Sequence, residues 1–595
     1  MTTTPCLLAQ VDSSISLLDW LVIAAYLLFT TLVGARLAGK QANIRDFFLA
    51  GRKLPWWAIT GSIIATEISA VTFIAVPTIS FARGGNLTYL QLAIGSILAR
   101  IIIGLYFIPA YYQREIYSPY DYMGKQLGHR VKKITTLLFF VGAILGQGAR
   151  IYVTAFVISV VTGFNLTVSI WIMGAFSICW TLLGGMTTVI WTDVIQFCVL
   201  FVGALLVLCY SVSAAPGSTG EIVSTASQAG KFQVLDFSTD PTLAYTFWCG
   251  LLAIPFLNLA ALGTDQVMTQ RMFCCRNQRD AAKAIITSSL GIGIALLMLL
   301  VGIALYAYFT PEARAVFEGE NIRDRLLPTF ITDALPVGVR GIIIAAVFAS
   351  AVSSLDSALA ALSQTTISAF IRPRPSTGRR RQGFLRKLVT SEIGLSKLLV
   401  VFWGVALCLM ATACIIIARQ YANAVDLAFA LVAYTYGPLL GIFLLAFFRV
   451  NRDDSGLVWA IPLTLLTVFG LSVHNPWADW IVVIAAATIL LHGAIRHHRD
   501  PVRVAALVTA ALLAVCLHQY EVPPETAAGE PKYLAYPWHY VIGTGMTFLL
   551  GYCLGRPKAN SASSRGTQRN DARKKPRQSR PRERRGRGAH KKDTR

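Results

Sequence analysis

The sequence predicts an all-α protein that crosses a membrane many times. Of its 595 residues, 55% are hydrophobic and only 14% are charged, whereas soluble globular domains carry about 25% charged residues. Many apolar runs are about 20 residues or longer, the length that an α-helix needs to cross a bilayer. These two observations exclude a large soluble protein and favour a polytopic membrane protein.

We identify about fifteen candidate transmembrane helices, with boundaries that can shift by several residues. The fifth and sixth of them have the least distinct division. The spans are 18–37, 56–80, 86–113, 134–162, 165–185, 188–212, 241–262, 281–308, 339–371, 395–418, 423–448, 457–475, 477–497, 502–518 and 536–555.

The loops between the spans predict the orientation, because Lys and Arg are enriched on the cytoplasmic side. With the N-terminus outside, the basic segments all become cytoplasmic. These segments are 38–55, 114–133, 263–280, 372–394, 449–456 and 498–501. An odd number of spans then places the C-terminus in the cytoplasm. We therefore expect a multi-pass protein of the inner or plasma membrane.

The C-terminal segment 556–595 is strongly basic. It contains 16 Lys or Arg, 3 Asp or Glu and almost no apolar residues, a composition typical of disorder. We expect this tail to attract anionic lipid headgroups. Its RGRG and KKPRQSRPRERR runs could instead bind RNA, but lipid is the favoured partner and no nucleic acid is expected.

A cluster of hydroxyls and one carboxylate interrupts the apolar run at 348–357. Ser353 and Ser357 share a helical face, and Asp356 lies beside them. Polar groups at membrane depth are costly and usually face partners, water or an ion. Hydroxyl and carboxylate oxygens could bind a small hard cation such as Na+, although a Ser-rich helix-packing seam is the alternative.

A second polar cluster lies midway along 56–80, where Thr66, Glu67 and Ser69 precede Thr72 and Pro77. Such side chains compete with helical hydrogen bonds, and transporters place binding sites where a helix breaks near the midplane. A packing seam would accommodate Ser and Thr, but an unpaired Glu67 would be costly there. No nucleotide-binding loop or catalytic triad is present, so we expect neither ATP-driven transport nor an enzyme.

Four stretches carry a more specific pattern. They are FFLAGRKLPWW at 47–57, LGGMTTVIWTDVIQ at 183–196, GTDQ followed by QR at 263–271, and the Ser353-Ser354 pair. Together they resemble the sodium/solute symporter family, whose members carry sugars, sialic acid, proline, vitamins, monocarboxylates or iodide. The resemblance covers about residues 18–450 and is strongest to sialic-acid-type members in the first core helix.

The resemblance implies a LeuT-type fold with a 5+5 inverted repeat. In this family the GTDQ stretch is expected in the cytoplasmic turn after the sixth core helix. The implied division is 1–55 for an extra helix and loop, 56–212 for the first repeat, 213–240 for an external loop, 241–448 for the second repeat, 449–555 for four additional helices and 556–595 for the tail.

The resemblance also implies a sodium site between the first and eighth core helices. Its ligands would be the carbonyls of Ala65, Ile68 and Ser350 and the hydroxyls of Ser353 and Ser354. A possible second Na+ site would use Asp193, Ser353, Asp356 and Ser357. Several members have Ser or Thr where this chain has Asp356, which could strengthen that site, take up a proton or pair with a basic residue.

Substrate-binding residues implied by the resemblance are Glu67, Ser69, Thr72, Gln91 and Arg150. Glu67 departs from the small polar residue of the sugar and sialic-acid members. Arg150 would either hold a solute carboxylate or be structural, pairing with Glu67 or Asp193.

The sequence thus predicts a Na+-coupled secondary active symporter that imports a small polar organic solute. A carboxylated sugar or another small organic anion fits best, and Na+ is the expected cofactor. The alternatives are a proton-coupled symporter of the same fold, a transporter-like membrane sensor and a passive channel.

Overall fold

The computed structural model describes most of the membrane-spanning part of the chain. The described residues are 15–37, 49–113, 116, 118–183, 186–317, 323–370, 392–418, 424–473, 476–497, 500–519 and 533–557. The lipid-binding prediction for the basic tail lies outside them.

The described chain is helical, with isolated β-bridges but no sheet. Its helices are α1 Leu17–Leu37, α2 Trp56–Glu67, α3 Ala70–Phe81, α4 Thr88–Tyr112, α5 Pro119–Leu127, α6 His129–Thr162, α7 Leu166–Leu183, α8 Met186–Ala214, α9 Thr219–Gln228, α10 Cys249–Thr264, α11 Gln266–Phe273, α12 Gln278–Tyr308, α13 Pro311–Phe317, α14 Leu326–Ala334, α15 Val339–Phe370, α16 Glu392–Ile417, α17 Ala424–Phe447, α18 Leu457–Ser472, α19 Pro476–His497, α20 Pro501–His518 and α21 Tyr536–Leu554.

Eleven helices of the described residues are long and apolar enough to cross a membrane, or up to thirteen spans if each of two bent pairs counts as one. The predicted all-α polytopic fold is therefore confirmed, but the count of about fifteen spans is not. Two of the predicted spans are not among these helices, one because its apolar part is too short and the other because its hydropathy is too low. The apolar part of α7 covers only Leu166–Leu182, and α21 opens with the sequence Tyr-Pro-Trp-His-Tyr, which lowers its hydropathy.

The first bent pair is the broken helix that the sequence predicts. Helix α2 ends at Glu67, and α3 starts at Ala70 at an angle of 61°. Ile68 and Ser69 between them have extended backbones. The last carbonyls of α2 therefore lack a following helical turn to bond with, which leaves backbone oxygens free near the middle of the protein.

The second bent pair corrects the interpretation of 263–280 as a cytoplasmic loop. Asp265 is extended, and its carboxylate accepts a hydrogen bond from the backbone N–H of Val267 at 2.7 Å, which caps α11. Helices α10 and α11 meet there at 55°. All of α11 is buried, so the GTDQ stretch is a break inside the sixth core helix. The polar composition of 263–280 suggested a loop. The residues that bury this segment lie in other helices, so the sequence around it does not reveal its burial.

Glycines allow some of these helices to approach closely. A Cβ at Gly95 of α4 would overlap the carbonyl oxygen of Gly250 in α10, and one at Gly302 of α12 would overlap the carbonyl oxygen of Pro77 in α3. Small residues at such contacts let helix backbones pack directly in a membrane protein. They bring the two broken helices against their neighbours around a central space.

Candidate functional site: a central cavity and a buried polar network

A cavity of about 240 Å³ lies at the break between α2 and α3. Its wall comes from the two broken helices together with α4, α6, α12 and α17. Four of the five predicted substrate-binding residues line it, namely Glu67, Ser69, Thr72 and Arg150. Most of the remaining lining is apolar, as in a small-molecule site with a few convergent polar groups.

Gln91, the fifth predicted residue, is used elsewhere. Its Nε2 donates to the carbonyl of Tyr245 at 3.0 Å, and its Oε1 accepts from the backbone N–H of Asp236 at 3.0 Å. Both ends of the amide therefore hold the segment before α10 against the start of α4. The structure gives Gln91 the role of a loop anchor.

Arg150 of α6 reaches the break in the first core helix. Its Nη1 donates to the carbonyl of Thr66 at 3.3 Å. Among the described residues, no carboxylate oxygen lies within 4 Å of its guanidinium. The two carboxylates expected as structural partners are both paired with other arginines, so Arg150 lines the cavity without an ion pair of its own, although Asp265 and Glu67 of the same lining are close enough to interact with it electrostatically.

The first of these other pairs joins Glu67 to Arg100 of α4. The Arg100 side chain is 1% exposed, whereas that of Glu67 is 30% exposed. Arg100 also donates to Ser288 Oγ at 3.1 Å and to the hydroxyl of Ser96. The guanidinium is thus fixed behind the cavity wall, and the carboxylate is the partner that the cavity exposes.

The second pair joins Asp193 of α8 to Arg271 of α11, with Oδ2 and Nη2 3.1 Å apart. Both side chains are buried, at 1% and 0% exposed. Ser62 Oγ donates to Asp193 Oδ2 at 2.5 Å and accepts from Arg271 Nε at 2.8 Å. A buried ion pair needs such additional hydrogen bonds to offset the cost of desolvating the charges.

The hydroxyls of α15 join this network from the other side. Ser353 Oγ donates to Asp193 Oδ1 at 2.5 Å, and Ser357 accepts from Arg271. Three of the four residues expected at a second Na+ site, Asp193, Ser353 and Ser357, therefore lie together. The cation among them in this structure is the guanidinium of Arg271.

The fourth residue, Asp356, lies apart from the other three. Its Oδ1 accepts from Thr181 Oγ1 of α7 at 3.1 Å, and it is buried. Asp356 makes no ion pair within the described residues. Although its i,i+3 spacing places it beside Ser353, its carboxylate contacts the neighbouring helix α7 and makes no hydrogen bond to Asp193, Ser353 or Ser357.

Three of the residues expected at the first Na+ site, Ser350, Ser353 and Ser354, lie near the end of α2. Ser354 Oγ donates to the carbonyls of Thr66 at 3.3 Å and Ser350 at 3.1 Å, and Ser353 Oγ lies 3.4 Å from Thr66 Oγ1. The hydroxyls of α15 thus face the end of α2, which is where Ala65 and Ile68 lie in the chain. Hydroxyl and carbonyl oxygens of this kind suit a weakly held monovalent cation.

Sequence reasoning missed Arg100 and Arg271 as partners. Arg271 was assigned to a loop, and Arg100 lies inside the span 86–113. The available signal was the cost of Glu67 and Asp193 at membrane depth, since each carboxylate needs a cation and Arg150 could pair with only one of them.

Comparison with known proteins bears on most of the chain. A sequence model of the sodium:solute symporter family matches residues 47–463. Two curated relatives are the human sodium/iodide cotransporter, 27% identical over 77% of this chain and 70% of its own length, and the rabbit (Oryctolagus cuniculus) sodium-dependent multivitamin transporter, 28% identical over 78% and 72%. The bovine (Bos taurus) sodium-coupled monocarboxylate transporter 2 is 27% identical over 77% and 73%.

A solved structure shows the same fold. It is the substrate-bound outward-open state of a Na+-coupled sialic acid symporter, which matches with a TM-score of 0.68 and 22% identity over 91% of this chain and 100% of its own. The match confirms the predicted LeuT-type architecture. The chain belongs to the sodium:solute symporter family and is a Na+-coupled transporter of small solutes, not an enzyme.

Proposed function

We propose that the transported solute is a small organic anion whose carboxylate binds Arg150. The observation that carries this proposal is that Arg150 lines the cavity without a carboxylate partner in the described structure. A guanidinium at membrane depth that lacks a direct ion pair is costly, and a bidentate carboxylate is its preferred ligand. Ser69 and Thr72 would supply further polar contacts from α3, and a carboxylated sugar is one solute of this class.

Na+ would bind beside the solute, at Ala65, Ile68, Ser350, Ser353 and Ser354. It would hold α15 against the end of α2 and so order the break that forms one wall of the cavity. A bound cation and a bound anion at adjacent positions would stabilise the closed state, which can then open inward. A tenfold Na+ gradient contributes about 1.4 kcal/mol to each cycle.

The contacts of the described residues argue against a second Na+ at Asp193, Ser353, Asp356 and Ser357. The guanidinium of Arg271 already balances the Asp193 carboxylate, and Asp356 faces Thr181. A second ion would have to displace Arg271. We therefore propose that one Na+ accompanies each solute.

The orientation with the N-terminus outside and the C-terminus in the cytoplasm also stays a proposal, supported by the distribution of Lys and Arg. With this orientation the Na+ gradient of the cell drives import. Labelling of single cysteines placed in 213–240 and in 449–456 by an impermeant reagent on intact cells tests it. Only the first position should react.

Uptake by purified protein in liposomes tests the proposed solute class. Labelled small carboxylates should accumulate in Na+ buffer but not in choline buffer at the same pH, and Arg150→Gln should abolish this uptake. Thr136→Val, a change in the same helix at a residue that does not line the cavity and whose hydroxyl has no hydrogen-bond partner among the described residues, is the matched control. Equal uptake in choline would favour the proton-coupled alternative, and wild-type uptake by Arg150→Gln would exclude Arg150 as the anion site.

A further inference from the structure

We propose that the Glu67–Arg100 ion pair selects among organic anions, and that the transported solute carries an O–H or N–H group beside its carboxylate that donates to Glu67. This inference rests on the proposed function, because Arg150 is taken to hold the carboxylate. It adds a second recognition group and narrows the solute class to hydroxylated or aminated acids.

The asymmetry of the ion pair is the first step. Arg100 is enclosed, and its donors are directed to Glu67 and to the hydroxyls of Ser96 and Ser288. Glu67 uses only Oε2 for this pair. Within the described residues no hydrogen bond reaches Glu67 Oε1, and the side chain lines the cavity at 30% exposed. The pair therefore offers the solute an acceptor and no donor.

The position of this acceptor relative to Arg150 is the second step. Arg150 donates to the carbonyl of Thr66, and Thr66 is the residue directly before Glu67. Arg150, which would bind the solute carboxylate, and Glu67, which would accept a hydrogen bond from a neighbouring donor of the solute, therefore lie at the same end of the cavity. A solute that satisfies both needs its donor within a few bonds of its carboxylate.

Two other acceptors of the cavity already have hydrogen-bond partners. Asp265 accepts from Val267 N at 2.7 Å through one oxygen and from Tyr436 OH at 3.0 Å through the other. Asn258 accepts from Ser96 Oγ at 3.3 Å and donates to the carbonyl of Ile254 at 3.2 Å. Of the two carboxylates in the described lining, Glu67 is thus the one with an oxygen that accepts no hydrogen bond from the described residues.

The energetic consequence is discrimination against anions that lack a donor. Such an anion would bring a like charge next to Glu67 and leave its Oε1 without a hydrogen bond after water is displaced. An unmade hydrogen bond to a buried group is costly, and sites built around one reject analogues that lack the partner. We expect at least about a tenfold preference, since Glu67 is only partly buried.

The test compares acids that differ only in the group beside the carboxylate. Propionate, lactate and alanine carry hydrogen, hydroxyl and ammonium at the same carbon, and hexanoate with 2-hydroxyhexanoate extends the comparison to a longer chain. Binding to purified wild-type protein in Na+ is measured by calorimetry. Lactate or alanine, and 2-hydroxyhexanoate, should bind at least about ten times more tightly than the matched acid without a donor, and the lactate and alanine results separate O–H from N–H.

The double variant Glu67→Met/Arg100→Met supplies the control. It removes the acceptor together with its buried countercharge, a replacement that proteins often tolerate, whereas Glu67→Met alone would leave Arg100 buried and unpaired. The double variant should still bind carboxylates in Na+ but show no preference between the members of a matched set. A purely structural pair would change all affinities equally and leave the preference intact.

The outcomes separate the two proposals. If all the acids bind equally to the wild-type protein, or if the double variant keeps the preference, the role of Glu67 is refuted while the proposed function stands. If no carboxylate binds in Na+, the proposed function fails and this inference fails with it.

Discussion

Two arginines that lie far from their partners in sequence decide the charge balance of the site. Arg100 pairs with Glu67, and Arg271 pairs with Asp193. Each pair engages, in an ion pair with another arginine, one of the two carboxylates that were expected as partners of Arg150. The choice between a structural and a ligand-binding Arg150 therefore depends on contacts that no local sequence pattern encodes.

The paired hydroxyls of α15 lead to a prediction about Na+. The double change Ser353→Ala/Ser354→Ala removes two of the five proposed ligand oxygens, so uptake should lose its dependence on Na+. Uptake is measured in Na+ and in choline buffers. Ser363→Ala is the matched control, since Ser363 lies in the same helix and its hydroxyl has no hydrogen-bond partner among the described residues. Na+-driven uptake at the wild-type level in the double variant would refute the assignment of the first Na+ site.

The Asp193–Arg271 pair leads to a prediction about stability. Asp193→Asn leaves the Arg271 guanidinium buried without a countercharge, which should cost about 3–5 kcal/mol. The thermal unfolding midpoint of the protein in detergent should therefore fall clearly. Asp356→Asn should have a smaller effect, because Asp356 has no described ion pair to break. An equal loss in both variants would argue against the pair as the main buried charge contact.

At the scale of helices, the functional elements are the two that break. Ile68 and Ser69 interrupt the first core helix, and Asp265 interrupts the sixth. Each is the first helix of a proposed five-helix repeat, as the inverted repeat requires. The first break was predicted from its polar residues. The second was interpreted as a loop, because capping by Asp265 and burial of α11 depend on neighbouring helices.

The contact between α3 and α12 gives a prediction at this scale. Gly302→Ala places a methyl group against the carbonyl oxygen of Pro77, so it should separate the helices and destabilise the protein by about 1–3 kcal/mol. Gly293→Ala in the same helix meets no atom within 4 Å and should be neutral or stabilising, because Ala favours helix more than Gly. Comparing the two unfolding midpoints in detergent checks this. A drop of the same size in both would point to the helix itself and not to the contact.

For the whole molecule, the number of Na+ ions per solute determines the electrical behaviour of transport. If Arg271 takes the place of a second ion, one Na+ would accompany each solute, and with a solute of charge −1, such as a hydroxylated acid, no net charge would move. An imposed membrane potential should then leave the accumulation ratio unchanged. Moving one net charge across 100 mV would supply about 2.3 kcal/mol, or about a fiftyfold change in the ratio.

Liposomes with potassium diffusion potentials provide this measurement, with labelled solute counted at each imposed voltage. A voltage-independent ratio supports one Na+ per anion. A steep increase of the ratio when the interior is negative would show that a second cation moves and that Arg271 gives way to it.

The sequence by itself determined the class of this protein and identified many of the polar residues of its site. The apolar runs and the scarcity of charge specified a helical membrane protein. The spacing of Ser353 and Ser357 and the cost of Glu67 at membrane depth indicated the two helices that meet at the break. These features are local, since they depend on helical periodicity and on the free-energy cost of placing a polar group in a bilayer.

Only the tertiary structure decided which charges face each other. It directed Gln91 to the external segment, turned Asp356 toward Thr181, and placed Arg100 and Arg271 beside the carboxylates, which left Arg150 in the cavity. The physical reason is that a buried charge needs a partner of opposite sign, and several arginines lie in or next to the predicted spans as candidates for each carboxylate. Helix packing settles that competition, and the sequence pattern does not.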